Sequence, residues 1–341
     1  MQKLNLKKVK RVFYLLVTIS CLVFFTTNAQ IVKRVDAVGI TVLDINRAMD
    51  FFTKVLPFEK VSEVEVAGSE YEQLKGVFGV RYKKVRLRLG SEEIELTDYL
   101  TAGGRSIPED SHSNDLWFQH IAIVVSNMDS AYARLRKFNV VQVSTAPQTL
   151  PKTIPAAEGV KAFYFRDPAG HNLELIYFPP GKGNPKWQQK TDKIFLGIDH
   201  TAIGVSKTAA SKIFYGDLLG VKYQGDSFNF GLEQEHLNNV QGASLHISGN
   251  KAEEGLGVEF LEYLNPKNGK PYPKEERADD LIHYETIMVT NQLDALYEKL
   301  KSKKIEFVSM GIVKIAENNY LYQRGFYVRD PDGHVVGIFE K

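Results

Sequence analysis

Nitrogen and oxygen must carry whatever chemistry this chain performs. Cys21 is the only cysteine among 341 residues and lies in an apolar N-terminal run, so the body of the chain has no thiolate nucleophile, disulfide framework or cysteine metal ligand. Histidines and carboxylates remain. Two carboxylates stand alone in apolar runs, Glu95 between Ile94 and Leu96 and Glu174 between Leu173 and Leu175. A strand alternates its faces, so each such carboxylate turns away from the side packed on helices. Walker, GxGxxG, GxSxG and HExxH patterns do not occur, which removes the common nucleotide-binding, hydrolase and zinc-protease templates.

The elements that position these residues emerge when the chain is compared with itself. Phe165-Arg166-Asp167-Pro168-Ala169-Gly170-His171 recurs 163 residues later as Val328-Arg329-Asp330-Pro331-Asp332-Gly333-His334, and Asp36 recurs as Asp199 at the same offset. Ile94 to Leu100 resembles Val258 to Leu264. Each half splits again into two units of one order: a β-branched strand, a short amphipathic helix, then strands ending in a hairpin. In the first unit, Val38, Ile40 and Val42 alternate as a strand, and Asp44 can cap a helix with Ile45, Met49, Phe52 and Leu56 on its apolar face. The second has a strand from Ile121 to Val125, a helix from Met128 to Phe138 and a hairpin closed by Asp167 to Gly170, ordinary turn chemistry. The third has a helix through Ile213, Phe214 and Leu218 and strands at Ala243 to Ser248 and Val258 to Leu264; the fourth has a helix through Leu293, Leu296 and Leu300 and a hairpin from Phe326 to Phe339.

Lys3, Lys7, Lys8, Lys10 and Arg11 precede an apolar run from Val12 to Phe25 and the small residues Thr27, Asn28 and Ala29. That layout predicts a signal peptide over 1–29, cleaved after Ala29, and a periplasmic or secreted protein. The run is shorter than the roughly 20 residues a spanning helix needs, so no stable membrane span is expected after cleavage. The formal charge is +2; subtracting the five basic leader residues leaves about −3, a balance in which nothing points to nucleic-acid binding.

The strand openings Phe118-Gln119-His120-Ile121 and Ile198-Asp199-His200-Thr201, with the Asp-Pro-x-Gly-His hairpins, resemble modules of the vicinal oxygen chelate superfamily, which includes glyoxalases, bleomycin-resistance proteins and extradiol dioxygenases. The resemblance covers nearly all of the chain after the leader. It implies an α+β fold in which four βαβββ modules form two cup-shaped mixed sheets. The first half would run over 30–182, with modules at about 33–105 and 115–180; the second would run over 193–341, with modules at about 196–268 and 280–341. It also implies a divalent metal, Zn, Ni, Mn or Fe, held by one first-strand and one last-strand residue per module. Position by position these are Ala37 and Glu95, His120 and Glu174, His200 and Glu259, and Glu285 and Gly337. Ala37 and Gly337 offer no donor.

Pairing of neighbouring modules would give one site of Glu95, His120 and Glu174 and another of His200, Glu259 and Glu285. Exchanged pairing would give His120, Glu174, His200 and Glu259, and leave both defects in the second cup. The resemblance leaves both arrangements open. In either, Glu174 and Glu259 are the candidate catalytic carboxylates, and the metal would hold adjacent substrate oxygens and stabilise a developing enediolate. The activity implied is that of a lyase, isomerase or dioxygenase acting on a small molecule, with a metal-free sequestering protein as the alternative; a homo-oligomer is open.

Other polar residues have plainer readings. Arg86 and Arg88 alternate with Val85, Leu87 and Leu89, so Arg88 could oppose Glu95 as a cross-strand ion pair where a metal would sit. His246, between Leu245 and Ile247, reads as a wall residue of the cup near Glu259. His171 and His334 read as turn residues; Tyr164, between Phe163 and Phe165 in a hairpin strand, reads as core filling with pocket lining as the alternative, and His283, on one strand face with Glu285, is open as a substitute ligand.

Overall fold

The computed structural model describes residues 31–101, 103–316 and 321–341; the leader expected over 1–29 lies outside them. The first module runs β1 (Val32–Val42), α1 (Ile45–Asp50), β2 (Glu59–Ala67), α2 (Ser69–Lys75), β3 (Arg81–Leu89) and β4 (Glu92–Tyr99). The second runs β5 (Gln119–Val125), α3 (Met128–Lys137), short β6 (Val141–Gln142) and β7 (Gln148–Thr149), β8 (Lys161–Arg166) and β9 (Asn172–Tyr177). The third runs β10 (Phe195–Gly204), α4 (Thr208–Ser211), β11 (Lys222–Phe230), α5 (Leu232–Asn238), β12 (Ser244–Lys251), short β13 (Glu254–Gly255) and β14 (Gly257–Asn265). The fourth runs β15 (Tyr284–Thr290), α6 (Leu293–Ser302), short β16 (Val313–Lys314), β17 (Arg324–Arg329) and β18 (Val335–Glu340).

Local chemistry explains the starts and stops. Asp44 caps α1 as expected, its Oδ1 accepting from the amides of Asn46 (2.8 Å) and Arg47 (3.1 Å). Both Asp-Pro-x-Gly-His turns are built alike. Asp167 Oδ1 accepts from the amides of Ala169 and His171, and Asp330 Oδ1 from those of Asp332 and His334, each at 2.9 Å. Gly170 (φ 101°) and Gly333 (φ 104°) take the left-handed backbone that lets each chain reverse. The two histidines go beyond the turn role: His171 Nε2 donates to the Leu281 carbonyl and His334 Nε2 to the Gly204 carbonyl, each at 2.8 Å. Each hairpin is thereby pinned to a segment belonging to the other sheet, since Leu281 leads into β15 and Gly204 ends β10.

The strand order answers the question the sequence left open. One sheet is β16-β17-β18-β15-β1-β4-β3-β2, with β13 beside β1; the other is β11-β12-β14-β10-β5-β9-β8-β6, with β7 beside β8. Modules one and four share a sheet, and modules two and three share the other. The first strands meet antiparallel at each centre, β1 on β15 and β5 on β10. Helices α1, α3, α4 and α6, with α1 and α4 each continued by a π-helical turn (Phe51–Val55 and Lys212–Leu218), lie against the main core, which draws on Phe52, Leu135, Phe214 and Leu296 together with strand residues of both sheets. Arg134 of α3 donates to the carbonyls of Val55 and Lys54, and Lys299 of α6 to those of Asp217 and Leu218. Consecutive modules therefore touch through their helices while their strands join different sheets. Among the described residues no helix is long and apolar enough to cross a membrane.

Candidate functional site

In the β5/β10 sheet, His120 and Glu174 come from module two and His200 and Glu259 from module three, all on the concave face. The register accounts for this. Ala122 lies opposite Glu174 and Ala202 opposite both His120 and Glu259, so the donors sit on one face around two alanines too small to block them. His120 Nε2 is 3.1 Å from Glu174 Oε2, and His200 Nε2 is 3.7 Å from the same oxygen and 3.2 Å from Glu259 Oε2. Single donor atoms of His120, Glu174 and His200 lie within 4.8 Å of one another. Glu95 is not among them: it belongs to the other sheet.

The arrangement fits a cation better than it satisfies itself. His200 Nε2 is buried and faces two carboxylates, yet makes no hydrogen bond of acceptable geometry, and His120 Nδ1 is a second buried nitrogen without a partner. Burial should depress the His200 imidazole, but Glu259 and then Asp199 outweigh it and hold its pKa well above the ordinary value. Burial likewise pushes Glu259 up, and the His200 charge overrides this and lowers it. The carboxylates thus demand positive charge at this point. Two imidazoles and two carboxylates are a donor set suited to Zn, Ni, Mn or Fe.

Around this centre lies a chamber of about 210 Å³. Tyr164, for which the sequence offered lining only as the alternative to core, lines it and packs its ring 4.9 Å from that of His120. Asp199 was not singled out as functional, but its Oδ2 accepts from His200 Nδ1 (3.1 Å) while Trp187 Nε1 donates to its Oδ1 (2.6 Å). A second hydrogen bond of this kind orients a ligating imidazole. The signal was available, since Asp199 immediately precedes His200. An adjoining cleft of about 430 Å³ shares Asp199, His200 and Glu259 and leads outward past Asn250 and Lys251. A larger groove of about 830 Å³, near Arg88 and Arg134, contains none of the four donors.

His246 does not face the chamber. Gly249 pairs with Glu259 and Ile247 with Leu261, so His246 opposite Glu262 takes the other face of the sheet. There it stacks on Phe228 (4.6 Å between centroids) and lies 2.9 Å from Asp226 Oδ1.

The β1/β15 cup is filled instead with internal ion pairs. Arg86, not Arg88, opposes Glu95: its guanidinium donates to Glu95 Oε1 (2.8 Å), to Asp36 Oδ2 (2.6 Å) and to the Tyr322 hydroxyl (2.8 Å). Arg88 lies at the end of the strand, exposed, paired with Glu59. Lys84 Nζ is 2.5 Å from Glu95 Oε2, and Lys75, on the unforeseen helix α2, pairs with Glu285 and donates to the Tyr327 hydroxyl (3.0 Å). His283 Nε2 lies 3.0 Å from Glu285 Oε1, and its Nδ1 meets Glu276. Where a fourth ligand would stand, a Cβ on Gly337 would come within 2.6 Å of the Tyr327 ring and 2.7 Å of the Phe339 ring. Ammonium, guanidinium and aromatic groups occupy this cup, so Glu95 and Glu285 are balanced without a metal.

These pairs predict acid sensitivity. Burial raises Asp36, but Arg86, Lys341 and Tyr322 prevail and bring it down to about 2; Glu276 and Glu285 are lowered likewise, by His283 and by Lys75. Depressed carboxylates stabilise the fold above their unfolded pKa values, and that stability is lost as pH falls through the folded values. His283, raised to about 9, stays protonated throughout and does not offset the loss. Asp36 alone accounts for about 2 kcal/mol. Urea midpoints measured between pH 5 and 2, by circular dichroism, should fall steadily; a flat profile would contradict these pairings.

Comparison with known proteins agrees with this architecture. The family model for the glyoxalase/bleomycin resistance protein/dioxygenase superfamily matches residues 34–175 and again 197–338. A 2-epi-5-epi-valiolone epimerase from Actinomyces is 32% identical over 149 residues, 42% of this chain and 79% of that protein. The uncharacterised protein YwbC of Bacillus subtilis is 27% identical over 144 residues, 42% of this chain and 97% of that protein. Glyoxalase I from Zea mays superposes with a TM-score of 0.59 at 15% identity, covering 90% of this chain and 92% of that one. With two family matches spanning most of its length and the paired-module sheets described above, the chain belongs to the glyoxalase/bleomycin resistance protein/dioxygenase superfamily.

Proposed function

We propose that this protein is a divalent-metal-dependent enzyme that moves a proton on a small substrate carrying adjacent oxygens, an isomerase, epimerase or lyase. The observation that carries this reading is the convergence of His120, Glu174, His200 and Glu259 around a buried imidazole nitrogen with no hydrogen-bond partner. The similarity to an epimerase supports the same class of chemistry. A cation held by these residues would supply Lewis acidity toward two neighbouring substrate oxygens.

The protein's own residues then divide the work. Glu174 is nearly enclosed, its side chain 6% exposed, and it lies between both imidazoles, which suits a ligand. Glu259 is 28% exposed toward the chamber, which suits a base that takes a proton from the carbon beside a substrate carbonyl and returns it to a different position or face. Asp199 fixes the His200 ring through Nδ1. The metal-free sequestering alternative drew on the missing donors at Ala37 and Gly337. Both now lie in the other cup and take nothing from this set.

The test is elemental mass spectrometry of the chain purified without chelator or added metal, beside His120→Ala and His200→Ala. Close to one metal per chain, lost in both variants, is expected because the two histidines share a site. No metal in the parent, and none bound on titration with Zn, Mn, Ni or Fe(II), would sink the proposal.

A further inference from the structure

The chamber beside His200 has two unlike walls, and the polar one has no role in the chemistry above. A continuous amide chain runs along it. Ser227 Oγ donates to Asn229 Oδ1 (2.5 Å), Asn229 Nδ2 to Gln234 Oε1 (2.9 Å), Gln234 Nε2 to Asn238 Oδ1, and Asn238 Nδ2 to the Tyr263 hydroxyl (2.6 Å). Asn229, Gln234 and Asn238 are 4%, 1% and 1% exposed, and Ser227, Asn229 and Gln234 line the chamber. We infer that this chain is the specificity wall of the site, and that the substrate is a neutral, hydroxyl-rich ketone about the size of one substituted six-membered ring. The inference rests on the proton-transfer reading and names its substrate class.

Three observations lead there. A primary amide has two donors and a two-lone-pair acceptor, and each link uses one of each, so the chain holds unused capacity at a wall where burying it unpaired is costly. Because amides can be turned over, the chain can run in either direction; it can donate to or accept from a hydroxyl, which itself does both. A carboxylate or phosphate only accepts and would call for a guanidinium, yet no arginine lines the chamber. Its one lysine, Lys182, is tied to the carbonyls of Pro155 (2.7 Å) and Ala156 (3.2 Å).

Size and the second wall complete the selection. The chamber is about 210 Å³, and a cavity of about 150 Å³ admits benzene, so one ring with its substituents fills it. The rest of the lining includes Leu150, Val160, Ala162, Ile176 and Phe178, apolar surface against which the carbon face of such a ring can lie.

Isothermal titration of the full chain with 2-keto-myo-inositol, and separately with S-lactoylglutathione as the anionic adduct, tests this. Metal content is measured in the same samples. Saturable binding of the neutral ketone is expected, weakened about tenfold by Ser227→Ala and by Gln234→Leu, with metal content unchanged; Ser227→Ala removes one atom and keeps the test valid where Gln234→Leu disturbs folding. Tighter binding of the adduct, no binding of the ketone, or Ser227→Ala binding like the parent would each overturn the inference. The metal reading fails separately: ketone binding that responds to Ser227 in a chain without metal would keep the specificity wall and discard the metal centre, and metal without ketone binding would do the reverse.

Discussion

Replacing Glu259 by glutamine is expected to slow proton exchange at the carbon beside a bound hydroxyketone by about 10²- to 10⁴-fold, the usual contribution of a positioned general base. The metal should stay. His120, Glu174 and His200 form the tight three-donor group, and three protein ligands hold many catalytic metals. Glu174→Gln should instead lose both exchange and metal, because its oxygen lies within 3.7 Å of both imidazoles. Following deuterium uptake from solvent by NMR, with metal measured alongside, separates the two. Undiminished exchange in Glu259→Gln would remove Glu259 from the role of base.

The largest effect on stability should come from the opposite cup. Arg86→Met is expected to destabilise the fold by about 3–5 kcal/mol, the range for breaking a buried ion pair on one side only. Arg86 is 3% exposed and neutralises Glu95 and Asp36 together while donating to Tyr322. Without it Glu95 is left with Lys84, and Asp36 with Lys341 and the half-buried Arg34. Urea unfolding at neutral pH reads the change, and metal content should be unaffected because the other sheet carries the donors. A shift under about 1 kcal/mol would place this pairing with ordinary surface bridges.

The sequence disclosed the modules because their signals are local. Strand alternation, the Asp44 cap and the repeated Asp-Pro-x-Gly-His turns each depend on neighbours a few residues away. Module partnership is long-range, and both arrangements satisfy the same local pattern, so only the pairing of β5 with β10 and of β1 with β15 separates them. Register explains the misplaced side chains. Arg86 and Arg88 share a face, but only the alignment of β3 with β4 puts Arg86 opposite Glu95; His246 needed one step of register to be placed outside the cup. Lys75 and Gln234 went unseen because α2 and α5 follow the second strand of their modules, where the shared module pattern has no helix.

In a symmetric pair of identical subunits, any substitution that spoils one cup spoils its twin, because a single gene writes both. Here each sheet draws one module from each half of a single polypeptide, so the two cups are encoded separately. One can therefore lack donors at Ala37 and Gly337 and hold Arg86, Lys75 and Tyr327 while the other presents four donors. A single chain thereby escapes the symmetry constraint: one cup is built as an ion-paired scaffold and the other as a donor-lined chamber.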